Sequence, residues 1–151
     1  MKLAEALQER ADLNRKIEQL QDRLSNNVLV QEGEQTAEDP AKLKDELESA
    51  ILRLAALITQ INQTNCTTIV EVQTLTALIA RKDALSLKIR LYKEIASTAS
   101  QTTYRARNTE IKIKSTISVA DWQAEIDQMS KELRLLDNQL QQSNWNTDLI
   151  E

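Results

Sequence analysis

The chain has 151 residues, 19 basic and 23 acidic, for a net charge of −4 with no histidine. That length sets one domain, and the acidic balance excludes a nucleic-acid binder held mainly by phosphate contacts. One Gly, one Pro and no Phe exclude a glycine-rich phosphate cradle and call for long helices with aliphatic cores.

Met1–Glu5 reaches a charge at once, and Glu9, Arg10 and Asp12 follow, so no signal-peptide core is expected. Lys2–Asn26 reads as the first helix. Leu3, Ala6, Leu13, Ile17, Leu20 and Leu24 fall on one seam of period 3.5, interrupted by the charged Arg10. Asn26-Asn27 ends it. Val28-Leu29-Val30 is a short β-type run, and residues 31–39 are polar, acidic and contain Gly33.

Asp39-Pro40 starts a second helix with an acidic N-cap and Pro at N1. It is predicted over 40–64, with an apolar stripe of Leu43, Leu47, Ala50, Ile51, Leu54, Leu57, Ile58 and Ile61. This stripe is wider than one seam, so the helix should touch two neighbours. Asn62-Gln63-Thr64-Asn65 competes with helix through polar side chains, and the β-branched Thr67–Val72 reads as an extended connection.

Thr74 caps a third helix, predicted over 75–99. Its seam is Leu75, Leu78, Leu85, Ile89 and Tyr92, with Lys82 at one apolar slot; Ala84, Leu87, Leu91 and Ile95 form a second stripe beside it. Residues 100–108 are polar and include Tyr104, Arg105 and Arg107. Glu110–Ile117 sets Ile111 and Ile113 against Lys112 and Lys114, a strand pattern of period two. Ser118 caps the fourth helix, 118–144, with the seam Val119, Trp122, Ile126, Met129, Leu133, Leu136 and Leu140.

The predicted fold is all-α: one domain over 1–151, an antiparallel up-down four-helix bundle with coiled-coil-like seams. A small β-ribbon is expected from the first and third connections, Val28–Val30 with Glu110–Ile117. The other end should gather the N-terminus, residues 62–72 and the 144–149 tail.

Several stretches resemble one family. They are Met1–Leu7 with Arg10–Leu13; Val30–Glu34 with Glu38-Asp39-Pro40; Ile61–Asn65; Thr74–Thr76 through Ala80–Asp83; and Asn144–Leu149. Together they resemble the septicolysin-like bacterial proteins of unknown function, over nearly the whole chain. The match departs at Thr68–Val72, where relatives often carry a polar Gly-containing turn, and at Lys82, often Arg. The resemblance implies a small helical bacterial protein. The family name points to a thiol-activated lysin, but no β-rich pore former with a Trp-rich membrane loop is written in these residues.

The chemistry available is sparse. Without His and with Cys66 as the one cysteine, the common zinc sets and Cys–His catalysis are excluded. Asp127 and Glu132 read as helix surface charges, and Glu32, Glu34, Glu38 and Asp39 lack calcium-loop spacing. No catalytic residue, cofactor or metal site is expected. Arg10 and Lys82, both on seams, read as snorkelling side chains or as a polar site paired with Asp83, Asp12 or another subunit; with Arg81 they could line an anion site. Asn62, Asn65 and Asn144 read as helix-end capping groups. Trp145 either anchors the tail or seeds an interface.

The predicted protein is a non-enzymatic, self-associating cytoplasmic helical protein. It is a homo-oligomer with no nucleic-acid partner and no transmembrane segment. Val28, Val30, Ile111 and Ile113 are the expected interface residues, because a two-stranded ribbon leaves edges to cover. The alternatives are a membrane-active, toxin-like protein and a binder of small anionic ligands.

Overall fold

A computed structural model of the chain describes residues 1–102 and 111–151. The described residues are mostly helical. They form α1 (Leu3–Asn27), α2 (Pro40–Thr67), a two-stranded sheet of β1 (Ile69–Val70) and β2 (Gln73–Thr74), α3 (Leu75–Ala99) and α4 (Val119–Asn146). The chain divides into two compact units, Met1–Val70 with Ser143–Glu151, and Glu71–Gln142.

Each helix starts where side-chain chemistry permits it. Glu5 accepts the backbone N–H of Lys2 at 2.7 Å. Asp39 Oδ1 accepts the N–H of Ala41 at 3.0 Å, and Pro40 follows where a missing N–H costs nothing. Thr74 Oγ1 accepts the N–H of Ala77 at 3.2 Å, and Ser118 Oγ that of Asp121 at 3.3 Å. These are the caps expected at Asp39, Thr74 and Ser118.

In the first unit α1 and α2 form an antiparallel pair. Glu9, early in α1, meets Arg53, deep in α2; Arg23, late in α1, meets Glu38, just before α2. Leu3, Ala6, Leu20, Leu43, Ala50, Leu57 and Ile61 are buried. The connection turns at Gln31–Glu34, closed by Glu34 N–H donating to Gln31 O at 3.0 Å, with Gly33 at φ 87°, a conformation that glycine adopts without strain. The tail returns to the N-terminus. Leu3 N–H donates to Thr147 O and Leu149 N–H to Met1 O, both at 2.9 Å; Lys2 and Asp148 form an antiparallel bridge. Ile150 N–H donates to Thr64 Oγ1 at 3.0 Å. The N-terminus, the end of α2 and the tail are thus gathered together.

In the second unit α3 and α4 also run antiparallel. Arg81 meets Glu132, Lys82 meets Asp137, and the rings of Tyr92 and Trp122 lie 4.6 Å apart. Ile89, Ala96, Ile126 and Met129 form the buried cluster, with Leu85, Tyr92 and Leu133 packed on it.

Two expectations are corrected here. α2 continues to Thr67 rather than stopping at 64: Thr64 and Thr67 hydroxyls donate to the carbonyls of Gln60 and Gln63, one turn back, so their polar groups are satisfied inside the helix. The two-stranded sheet lies in the second connection, not between the first and third. Val28–Val30 follow α1 as exposed coil, and Tyr104, Arg105, Arg107 and Glu110 lie outside the described residues. The expected pairing of Val28–Val30 with Glu110–Ile117 is absent among those described.

Candidate functional site

Three groups of residues were candidates, and the structure treats them differently. Arg10 lies on the first unit, exposed on α1. Arg81 and Lys82 lie on the second, and each faces a carboxylate of α4, Glu132 and Asp137 respectively. Lys82 therefore pairs with neither Asp83 nor Asp12, because antiparallel helix packing carries α4 past its side of α3. The pairs are half-exposed, in the range where such contacts contribute about 0–1 kcal/mol. Both cations are engaged before any anion arrives.

Val28, Val30, Ile111 and Ile113 are all exposed, Ile111 the most at 66%. None lies in a paired strand element. Trp145, on the last turn of α4, is 56% exposed and does not bury its ring as a tail anchor. Asn62 is exposed, and Asn65 and Asn144 are half-buried.

Titratable groups with perturbed protonation sit in structural ion pairs. The Glu9 carboxyl is held below its usual value by the hydrogen bonds it accepts from Arg53, at 2.7 and 2.9 Å, against partial burial. Arg23 lowers Glu38 in the same way, and Lys2 lowers Asp148. Among the described residues no group of three or more His, Cys, Asp or Glu could hold a metal ion. Cys66 is exposed at the end of α2.

Two depressions stand out among the described residues. One, of about 520 Å³, lies between the end of α3 and Ile113–Ile117, with Ile95, Thr98, Lys114 and Thr116 in its wall. The other, about 550 Å³, is apolar and lies between α1 and α2, lined by Leu24, Val28 and Leu47 among others. Neither holds a convergent set of buried polar groups, the mark of a small-molecule site.

The exposed apolar side chains are more telling. On α3, Leu87, Leu91 and Ile95 are 48%, 42% and 45% exposed. They follow one another at helical spacing, so they share one outer face. Ala77, Ala80 and Ala84 continue the stripe toward the N-terminus and are exposed too. The sequence shows Ala84, Leu87, Leu91 and Ile95 as a second stripe. Its extension through Ala77 and Ala80 is hidden there, because alanine in a helix signals propensity as readily as packing. On α2, Ile51, Leu52 and Ile58 are exposed. No helix of the described residues is long and apolar enough to cross a membrane.

A family model described as a family of unknown function (DUF6847) matches residues 10–149. A solved structure, described as a functionally unknown conserved protein from Corynebacterium diphtheriae, is similar to this chain at 36% identity. It superposes with a TM-score of 0.92, and the match covers 99% of each chain. No curated protein matches significantly. With the family model spanning nearly all of its length, the chain belongs to this family of unknown function, DUF6847.

Proposed function

We propose that this chain is a non-enzymatic cytoplasmic protein that associates with copies of itself, in a structural or interaction role. The observation that carries the reading is the row of large apolar side chains on the outer face of α3, Leu87, Leu91 and Ile95, each more than two-fifths exposed. Isolated surface leucines are ordinary; an aligned set on one rigid helix marks an interaction surface. Exposed Ile51 and Ile58 on α2, and Val28, Val30, Ile111 and Ile113 in the connections, add to the apolar surface. The absence of His from the sequence removes the commonest general base, and with a single cysteine in the sequence no intrachain disulfide can form. Anion binding draws less support, since Arg81 and Lys82 each face an acid of α4.

The test is solution mass by size exclusion with light scattering over a broad dilution series. A stable mass of twice the chain or more is expected. A protein that is monomeric at every concentration defeats the proposal.

A further inference from the structure

We infer that the outer face of α3 binds α3 of a second copy of this chain, antiparallel, in the register that sets Ala84 of one copy against Leu87 of the other. This rests on the self-association reading and names its surface.

The stripe runs Ala77, Ala80, Ala84, Leu87, Leu91, Ile95, Thr98. Steps of three and four keep it narrow over roughly six turns, about 32 Å of helix. It lies away from the face that packs Leu85, Ile89 and Ala96 toward α4. The corresponding stripe on α2, Ile51, Ala55 and Ile58, is bounded by Lys44 and Glu48 before it and Asn62 after it, so it offers only about two turns.

The stripe is graded in size. Its N-terminal half is alanine, and its C-terminal half is leucine and isoleucine. Parallel pairing of two copies would stack alanine on alanine at one end and leucine on leucine at the other, leaving a gap and a bulge. Antiparallel pairing sets Ala84 on Leu87, Ala80 on Leu91 and Ala77 on Ile95, so every layer holds one small and one large side chain. Even filling is what close packing requires. The operation that brings this about is a two-fold axis, which closes the assembly at a dimer.

The charges on one flank of the stripe agree with that register. Asp83 comes opposite Arg90 of the second copy, twice by symmetry. Among the described residues Arg90 meets Glu94 at a long, exposed 3.5 Å, a contact easily exchanged. The other flank sets Arg81 opposite Lys88 of the second copy. Both are drawn elsewhere: Arg81 to Glu132, and Lys88 over the Tyr92 ring, 5.2 Å from its centre. In a parallel pair Arg90 would instead face Ile95, so its substitution separates the two arrangements.

The experiment is sedimentation equilibrium on the full chain and four variants, with circular dichroism melts as a fold control. Wild type is expected to be a dimer, and Leu91→Glu a monomer with an unchanged helical signal. Asp83→Arg and Arg90→Asp should each weaken the dimer about tenfold, two opposed pairs having become two like pairs. The double variant Asp83→Arg/Arg90→Asp should recover the wild-type dissociation constant. Both single charge variants sit on exposed positions and leave the core intact, so they remain informative should Leu91→Glu unfold. A folded Leu91→Glu that stays dimeric overturns the α3 surface while leaving self-association standing. Arg90→Asp without effect, or a double variant that fails to recover, overturns the register. A monomeric wild type overturns both this inference and the reading beneath it.

Discussion

Asn27 holds Glu38 in place across the connection that separates α1 from α2. Its Oδ1 accepts the backbone N–H of Glu38 at 2.9 Å, and its Nδ2 donates to the carbonyl of Arg23 at 2.8 Å. The side chain is buried, 6% exposed, so both bonds are made away from competing water. Asn27→Ala should lower stability by about 1–3 kcal/mol, the cost of leaving buried polar groups without partners. Urea unfolding checks this; a change within a few tenths of a kcal/mol would show that water replaces the amide.

Thr64 plays the matching role at the other end of the first unit. It is fully buried, donates to Gln60 O and accepts from Ile150 N–H. Thr64→Val preserves shape and removes both bonds. The expected result is a loss of about 1–2 kcal/mol and faster amide hydrogen exchange at Ile150, measured by NMR. Unchanged exchange at Ile150 would show that the tail is held without Thr64.

Glu71 has φ 59°, a left-handed conformation that costs a side-chain-bearing residue roughly 1–2 kcal/mol. It lies in the turn between β1 and β2. Its carboxylate accepts from Gln139 at 3.1 Å, an exposed bond of small weight. Glu71→Gly should therefore raise the melting temperature by about 2–4 °C, the shift that 1 kcal/mol produces in a chain of this size. A melting temperature several degrees lower would show that the Gln139 contact outweighs the backbone strain.

Acid should weaken the fold through Glu9 and Asp148. Arg53 lowers the first and Lys2 the second, so each carboxyl is more acidic folded than unfolded. Such a group stabilises fully above its unfolded pKa, about 4. The contribution fades as pH falls through the lower, folded value. Arg53→Gln should flatten the fall in melting temperature between pH 5 and pH 3, by roughly a degree or two given the exposure of the pair. An identical slope would show that Glu9 draws no stability from Arg53.

Within α4 the seam is uneven in depth. Ile126 is 1% exposed and lies in the buried cluster, whereas Leu133 only packs against its edge. Ile126→Ala should cost about 2–5 kcal/mol, and Leu133→Ala clearly less. Equal losses by chemical denaturation would contradict that ranking.

The four helices were legible in the sequence because their signals are local. Seam spacing, the caps at Asp39, Thr74 and Ser118, and Pro40 at N1 each act within a turn or two. Three observed ends lie within three residues of the predicted ones, at Asn27, Thr67 and Asn146, and the fourth coincides at Ala99. The sheet was misplaced because the alternation of Ile111 to Lys114 resembles a strand wherever it lies, while β1 and β2 depend on the turn at Glu71. The partner of Lys82 was out of reach for a different reason. Asp137 is 55 positions away, and only the register of α3 on α4 decides which acid it meets.

The paired ends have a mechanical consequence. Met1–Leu3 and Thr147–Leu149 run antiparallel, so residue 1 and residue 149 emerge at the same edge of the clasp. Tension applied across the two ends loads the bonds one after another: Ile150 on Thr64, then Leu149 on Met1, then Leu3 on Thr147. The clasp peels rather than shears. A weak pull opens it stepwise, and the load then reaches the start of α1 and the end of α4 together.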